Sequence, residues 1–212
     1  MYTIFLLVAL VASSFLETVQ FQCCIPSQLE TYIDELSFVP GARGRNVVQN
    51  TSYDAVTKRE AFHVFDNTIN NGYDVIYDYR ANMSYMWSRG VCNVSYAGPF
   101  HEFCFAEGKL VRKSFMGVFP EITKLNTYMV AGKRCHASYT VGKSCSPVEL
   151  EMNCNDSLTL TRFYNMTLGI KNESVFTPPK ICFKKESRRI IAHQTPLFFR
   201  TAAMFGTPLE FP

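Results

Sequence analysis

The chain has 212 residues, of which 47% are hydrophobic and 14% are aromatic, and its formal net charge is +3. This size and composition are typical of one globular domain and exclude a disordered or low-complexity chain. The basic residues are dispersed except for a cluster after the last cysteine, formed by Lys184, Lys185, Arg188 and Arg189. Nucleic acid is therefore not an expected partner.

A signal peptide is predicted at the N-terminus. Residues 4–12 (IFLLVALVA) form an apolar run too short to span a bilayer, and small residues follow at Ala12, Ser13 and Ser14. We expect residues 1–22 to be the signal peptide, with cleavage between Ser14 and Gln22. No later stretch has the roughly 20 apolar residues of a membrane span. We therefore expect a secreted, extracellular protein that does not span the membrane.

Most of the remaining chain has the pattern of short antiparallel strands. The best helix candidate is residues 27–36 (SQLETYIDEL), where Ser27 and Glu30 have capping-box spacing. Strands are predicted around Phe62 and Val64 and at residues 47–53, 109–115, 126–130, 136–141, 148–152 and 158–163. Strands at this spacing suggest a sandwich or a barrel-like pair of sheets.

The clearest hairpin is predicted at residues 73–88, after an Asn-Gly turn signal at Asn71 and Gly72. A three-residue turn would place Asn82 at its exposed tip. The same turn would pair Tyr79 with Met83, Tyr77 with Tyr85, and Val75 with Trp87. One face of the hairpin would then be almost wholly aromatic and aliphatic.

Six of the twelve asparagines stand in Asn-x-Ser/Thr sequons, which is more than chance predicts and indicates glycosylation in a secreted chain. For any single sequon, an unmodified polar turn residue is the alternative. The six are Asn50, Asn82, Asn93, Asn155, Asn165 and Asn172.

Eight cysteines in an oxidising compartment predict disulfides, although eight cysteines allow 105 pairings. They are Cys23, Cys24, Cys92, Cys104, Cys135, Cys145, Cys154 and Cys182. A zinc site formed by His101, Cys104, Cys135 and His136 is the alternative interpretation. It is disfavoured because the paired CxxC spacing of structural zinc modules is missing.

No catalytic motif is present: the sequence contains no GxSxG, HExxH, GxGxxG or P-loop pattern. His63 falls on a predicted strand and is interpreted as a surface or packing residue. Asp74 and Asp78 lie on one strand face about 13 Å apart, which is too far to share a proton. We therefore expect that the protein is not an enzyme and that it requires no cofactor.

Two C-terminal segments carry a family resemblance. Residues 161–182 (TRFYNMTLGIKNESVFTPPKIC), preceded by residues 143–153 (KSCSPVELEMN), resemble the C-terminal signature of the ependymin-related proteins. Residues 52–65 and 73–93 are similar to two earlier elements of that family, and residues 96–139 depart from it. The resemblance implies an ependymin-like β domain at residues 23–182 and a basic, then apolar, tail at residues 183–212.

The resemblance also implies a fold: two stacked antiparallel sheets curved around an apolar pocket, similar to bacterial lipoprotein carriers, with disulfides and little helix. It implies a glycoprotein that is secreted or lysosomal, binds lipids and calcium, forms homodimers and takes part in cell-matrix adhesion. It pairs Cys92 with Cys182, and Cys23 or Cys24 with Cys145. The four remaining cysteines are then expected to form two further bridges.

Two functions follow from these expectations. The first is a carrier of lipids or other apolar ligands; the second is a matrix or adhesion glycoprotein with a filled core and matrix components as partners. The candidate pocket residues are Phe62, Val64, Val75, Tyr77, Tyr79, Met83, Tyr85 and Trp87, although for any one of them a packed core residue is the favoured interpretation. No dense carboxylate loop is present, so the sequence names no calcium site.

Overall fold

The computed structural model describes residues 23–105, 108–132 and 135–184, together with the backbone of residues 188–189. The predicted signal peptide at residues 1–22 and most of the predicted tail lie outside the described residues. Within the described part of the chain, no helix is long and apolar enough to cross a membrane.

The protein is mostly β, as predicted, and the helices described are three short 3-10 turns at Lys143–Cys145, Glu173–Phe176 and Lys180–Phe183. The strands are β1 (Cys23–Cys24), β2 (Gln28–Phe38), β3 (Arg45–Asp54), β4 (Arg59–Asp66), β5 (Asn71–Asp78), β6 (Met83–Ser88), β7 (Val91–Tyr96), β8 (Cys104–Phe105), β9 (Lys109–Val118), β10 (Glu121–Ala131), β11 (Cys135–Val141), β12 (Pro147–Cys154), β13 (Ser157–Leu168) and β14 (Arg188–Arg189). Every predicted strand is confirmed.

The strands form two sheets, a small one of β1 and β8 and a large one of twelve strands. The order in the large sheet is β14-β7-β6-β5-β4-β3-β2-β13-β12-β11-β10-β9, and all its pairs are antiparallel except that of β14 with β7. Among the described strands, β9 and β14 each have one neighbour, so the sheet is open. The predicted pair of antiparallel sheets is confirmed.

The small sheet packs on one face of the large sheet, which we call the inner face. There Cys23 and Phe105 share an apolar cluster with Leu29 and Ile33 of β2 and Tyr139 of β11. The Phe105 and Tyr139 rings stack with their centroids 4.4 Å apart. The small sheet is a second layer that buries the inner apolar side chains of β2, which would otherwise be exposed to water. We call the opposite face of the large sheet the outer face.

The helix predicted at residues 27–36 is wrong, because residues 28–36 lie in the long strand β2. Leu29, Thr31, Ile33 and Glu35 alternate with less buried residues, so the burial pattern has the period of a strand. Strand β2 is hydrogen-bonded to β13 on one side and β3 on the other. These two ladders outweigh the local capping-box signal.

The predicted register of the β5–β6 hairpin is also wrong. The turn has four residues, 79–82, so Asp78 pairs with Met83, Ile76 with Tyr85, and Asp74 with Trp87. A shift of one residue moves a side chain to the other face of a sheet. Met83, Tyr85 and Trp87 therefore lie on the outer face, and Met86 takes their place opposite Val75 on the inner face.

Four disulfides link the described cysteines: Cys23 with Cys145, Cys24 with Cys104, Cys92 with Cys182, and Cys135 with Cys154. The structure thus contains the pair implied between Cys92 and Cys182, and it selects Cys23 rather than Cys24 as the partner of Cys145. The zinc alternative is wrong, because both of its cysteines have their sulfurs in disulfides.

A C-terminal arm, defined as residues 170–183, covers the outer face of β4–β7. Phe176 is buried against Ala61 and Ile76, and Cys182 ties the arm to Cys92. Thr177 and Pro179 have extended backbone angles, as the Thr-Pro-Pro sequence requires.

Candidate ligand-binding face

An apolar cluster on the inner face of β3–β6 is the candidate site. Val47, Phe62, Val64, Val75 and Tyr77 are buried together, and partly buried residues pack against them, namely Tyr73, Tyr79, Met86 and Ala97. Because successive side chains of a strand alternate between faces, every second residue of these strands contributes to the cluster. We call it the inner apolar cluster.

The eight predicted pocket residues divide between the two faces of the sheet. Phe62, Val64, Val75, Tyr77 and Tyr79 belong to the inner apolar cluster. The other three, Met83, Tyr85 and Trp87, pack on the outer face against the C-terminal arm and the Cys92–Cys182 disulfide. Their predicted role as pocket wall does not fit this placement, because they lie between the sheet and the arm, away from the inner face.

Aromatic rings give the inner apolar cluster its shape. The rings of Phe62 and Tyr77 meet edge to face with centroids 6.1 Å apart, and Tyr77 stacks on Tyr79 at 5.8 Å. Phe100, from the loop after β7, contacts Tyr79 at 5.2 Å and Tyr53 at 6.2 Å. Phe100 therefore joins this cluster to the one beneath the small sheet.

Sequence reasoning missed Val47, Met86 and Phe100 as members of this face. A correct hairpin register would have found Met86, since it follows directly from a four-residue turn. Val47 was predicted to lie on a strand, but the sequence did not predict which face of the sheet its side chain occupies. Phe100 lies outside the strands, and no local signal indicates its contacts with Tyr79 and Tyr53.

A carboxylic acid is buried at the edge of the inner apolar cluster. Glu60 of β4 lies opposite Tyr77 on β5 and accepts a hydrogen bond of 2.8 Å from the Tyr79 hydroxyl. Burial raises the pKa of Glu60 to about 8, and the Tyr79 hydrogen bond opposes that rise only in part. Burial and the neighbouring Glu60 also raise the pKa of the Tyr79 hydroxyl. The pair is therefore neutral at mildly acidic pH.

Polar side chains form a separate row on the inner face of β2, β3 and β13. Thr31, Glu35, Gln49, Thr51 and Thr161 are all buried there. Burial raises the pKa of Glu35 more than the Arg45 charge and the Ser37 hydrogen bond lower it. Gln49 and Thr51 are only 6% and 4% exposed, and neither Gln49 Nε2 nor Thr51 Oγ1 has a hydrogen-bond partner.

Among the described residues, the histidine, cysteine and acidic side chains form no cluster that suits calcium. Their one group of three candidate metal ligands is Cys24, Glu102 and Cys104, and its two sulfurs form a disulfide with each other. Calcium binds to six or more oxygen atoms, so this group does not fit it. The calcium binding implied by the resemblance stays a prediction without a site.

His63 on β4 and the two aspartates Asp74 and Asp78 of β5 make local hydrogen bonds. His63 is exposed on the outer face, and its Nδ1 lies 2.6 Å from Asp74 Oδ1 on the neighbouring strand. Asp78 caps the β5–β6 turn by accepting hydrogen bonds from the backbone N–H groups of Arg80 and Ala81. Asp74 and Asp78 therefore have separate partners.

Five of the six sequon asparagines are exposed, namely Asn50, Asn82, Asn155, Asn165 and Asn172, and Asn93 is half-buried on β7. Asn82 lies at the end of the β5–β6 turn, and Asn165 lies in a bulge of β13. Exposure leaves room for a glycan, and glycosylation of these residues remains a prediction.

Comparison with known proteins gives a family and two similar structures. The family model described as Ependymin matches residues 67–182. An uncharacterized conserved protein from Thermus thermophilus is similar with a TM-score of 0.49 and 5% identity, over 87% of this chain and 99% of that chain. A LolA superfamily protein from Nitrosomonas europaea is similar with a TM-score of 0.40 and 8% identity, over 78% of this chain and 97% of that chain.

Proposed function

This chain belongs to the ependymin family, and we propose that it is a secreted glycoprotein that carries lipids or other apolar ligands on the inner face of its large sheet. The inner apolar cluster, with its aromatic and aliphatic side chains from four neighbouring strands, is the observation that carries this proposal. Lipid binding is also what the family resemblance implies. The four disulfides fit an oxidising compartment, with the lysosomal lumen as the alternative to the extracellular space.

Burial of an acyl chain would supply enough free energy for such binding. Each buried CH₂ contributes about 0.8 kcal/mol, so a 16-carbon chain gains on the order of 10 kcal/mol before the costs of ordering. No charged group is needed for this gain. The neutral Glu60–Tyr79 pair at the edge of the cluster does not oppose it, because it brings no buried charge to the ligand at mildly acidic pH.

The polar row favours an amphiphile over a pure hydrocarbon. The unpartnered Gln49 amide and Thr51 hydroxyl can both donate a hydrogen bond, so they suit a ligand with an ester, hydroxyl or carboxyl oxygen. A competition assay with monoolein and a matched long alkene tests this preference. Stronger competition by monoolein supports the assignment, and equal competition restricts the ligand site to the inner apolar cluster.

Strand β6 offers a matched pair of variants for the main test. Met86 is partly buried in the inner apolar cluster, whereas Met83 is partly buried on the outer face beside the Cys92–Cys182 disulfide. We expect Met86→Ser to weaken binding of a fluorescent fatty acid about tenfold and Met83→Ser to leave it unchanged, because only Met86 would contact the ligand. Trp87 is the only tryptophan and lies on the outer face, so its emission reports folding in both variants.

The second candidate function is an adhesion glycoprotein whose inner face is a filled core. Its specific support is the near-complete burial of Val64 and Val75, each 1% exposed. Failure of the wild-type protein to bind any apolar probe would favour this function and overturn the carrier. Equal weakening by Met86→Ser and Met83→Ser would also count against an inner-face site. Calcium binding and homodimer formation follow from the family resemblance alone and are tested by native mass spectrometry of the secreted protein.

A further inference from the structure

The hairpin of β9 and β10 lies at the open end of the large sheet and has unusual exposure. Nine of the ten residues of β9 are exposed, and β9 has β10 as its single neighbour among the described strands. Many of the exposed side chains are large and apolar: Leu110, Val111, Phe115, Met116, Val118, Phe119 and Ile122. Exposed apolar patches of this kind mark surfaces that contact a partner or a membrane.

The turn of this hairpin forms an apolar tip, which we define as residues 115–122. Val118 and Phe119 are 82% and 84% exposed, more than any other large hydrophobic residue described. Gly117 shapes the turn, since its φ is +106° and an added Cβ would overlap the Glu121 carbonyl oxygen. Only glycine therefore fits this position, and the chain reverses direction within two residues.

Apolar side chains of the tip lie on both of its faces, and Glu121 is its one charged residue. Phe115 and Met116 are consecutive on β9, so their side chains point to opposite faces, and both are exposed. A protein partner with a flat surface would cover one face of a hairpin and leave the other in water. Immersion in the acyl region of a bilayer would cover both faces together. The two-sided exposure therefore favours a lipid surface as the occupant.

Four cationic residues lie on the same two strands as the tip, namely Lys109, Arg112 and Lys113 on β9 and Lys124 on β10. Lys124 pairs with Phe115 across the hairpin, about 10 Å from the turn at the rise of a strand. The long Lys and Arg side chains can place their charges at the level of the headgroups while the tip lies deeper. Within the described part of the chain, none of the four forms an ion pair with an acidic residue.

We propose that the tip of the β9–β10 hairpin inserts into the surface of a bilayer that contains anionic lipids. The apolar residues of the tip enter the boundary of the acyl region, and the cations nearest to it, Arg112, Lys113 and Lys124, contact anionic headgroups. This docking does not depend on the carrier function. If both hold, the hairpin brings the inner face of the sheet to a lipid source.

Vesicle flotation tests the proposal with the secreted protein. We expect the protein to float with vesicles of phosphatidylcholine containing roughly 30 mol% phosphatidylserine, and several-fold less with phosphatidylcholine alone. The double variant Val118→Ser/Phe119→Ser should reduce the bound fraction on anionic vesicles about tenfold or more. The double variant Lys113→Glu/Lys124→Glu should remove the preference for anionic vesicles, because each lost cation weakens headgroup attraction.

Two other exposed residues provide the control. Val56 and Ile69 are 68% and 66% exposed in the turns before and after β4, so Val56→Ser/Ile69→Ser removes similar apolar area elsewhere. This variant should float as the wild type does. Trp87 emission checks folding in all variants, because Trp87 lies under the arm, far along the sheet from β9.

Three results would overturn the proposal. The wild-type protein could fail to float with anionic vesicles, or the tip and control variants could float equally. The tip variant could also convert a homodimer to a monomer, seen by light scattering after size exclusion, without a change in vesicle binding. That last result would assign the tip to a second copy of the chain instead of a lipid surface.

Discussion

The two ends of the large sheet differ in what covers them. At one end, the outer face of β4–β7 has Ala61 and Ile76 buried beneath the C-terminal arm. At the other end, β9 is exposed along almost its whole length. Both ends carry large apolar residues in regular antiparallel ladders, so strand pairing alone does not bury side chains. A second layer of the structure is needed to bury them, and at the covered end the Cys92–Cys182 disulfide links that layer to the sheet.

The covered end depends on a few contacts of the arm. Cys182 joins Cys92 of β7, Phe176 packs on Ile76 of β5, and the Arg59 guanidinium lies 4.4 Å above the Phe176 ring. These contacts differ in kind: a covalent link, a buried ring and a partly exposed cation. Variants that remove each kind of contact separately therefore measure how much each one stabilises the covered end.

The largest effect is expected from the disulfide that ties down the arm. Its two cysteines are 90 residues apart in sequence, so the chain-entropy relation assigns its loss about 4 to 5 kcal/mol of unfolding free energy. The double variant Cys92→Ala/Cys182→Ala should lose this amount in denaturant unfolding. The matched variant Cys135→Ala/Cys154→Ala opens a loop of 19 residues and should lose only about 3 kcal/mol. An equal loss in both would contradict the loop-length argument.

The next comparison places one phenylalanine at each end of the sheet. Phe176→Ala should cost about 3 kcal/mol or more, because it leaves a cavity between the arm and the sheet. Phe119→Ala should change the unfolding free energy by less than about 0.5 kcal/mol, because Phe119 is exposed at the hairpin tip. Urea unfolding of both variants measures the contrast. A large loss for Phe119→Ala would show that something covers the tip.

The buried acid of β4 predicts a pH dependence. The pKa of Glu60 is raised from its ordinary 4.5 to about 8. The folded state therefore holds a proton that the unfolded state releases, and this contribution to stability is present below pH 4.5 and lost as the pH rises towards 8.

Glu60→Gln keeps a neutral hydrogen-bonding side chain at every pH and should flatten this decline. The melting temperature of Glu60→Gln minus that of the wild type should therefore increase by roughly 10 °C between about pH 5 and pH 8. Glu151→Gln, on the exposed side of β12, is the control and should follow the wild-type curve. Parallel curves for Glu60→Gln and the wild type would refute the assigned pKa.

The smallest effect concerns the ion pair that ties the arm to β4. The Arg59 guanidinium lies 2.6 Å from Glu173 Oε2, but the Glu173 side chain is 63% exposed. A double-mutant cycle with Arg59→Ala and Glu173→Ala should therefore give a coupling energy of only about 0.5 to 1 kcal/mol. A coupling above about 2 kcal/mol would place the ion pair among the main ties of the arm. A value near zero would leave the disulfide and Phe176 as those ties.

Much of the fold could be predicted from period-two patterns and cysteine chemistry. Strands β3–β6 and β9–β13 were found from alternation, and the family motifs implied the pairing of Cys92 with Cys182. The division of the candidate site was missed for one reason. The same sequence is compatible with a turn of three residues or of four. The three-residue turn would place both Tyr85 and Trp87 on the inner face, and the four-residue turn places both on the outer face.

The sequence by itself determined several local properties of this protein: that most of its segments are extended, where the Thr-Pro-Pro segment stiffens the chain, and which asparagines stand in sequons. These depend on side-chain alternation, proline geometry and short motifs, which act over a few residues. Family motifs in the sequence also identified the ependymin-related proteins.

Only the tertiary structure decided which face each side chain occupies and what covers it. Residues 28–38 form a strand because β3 is hydrogen-bonded to one side of this segment and β13 to the other. These ladders outweigh the helix-capping signal of Ser27 and Glu30. The arm packs on the half-buried Trp87 of the outer face because Cys182 reaches Cys92 from 90 residues away. Strand β9 and the hairpin tip stay exposed because β9 has β10 as its single neighbour among the described strands. Such contacts join residues far apart in sequence, and their free energies outweigh the local preferences of any one segment.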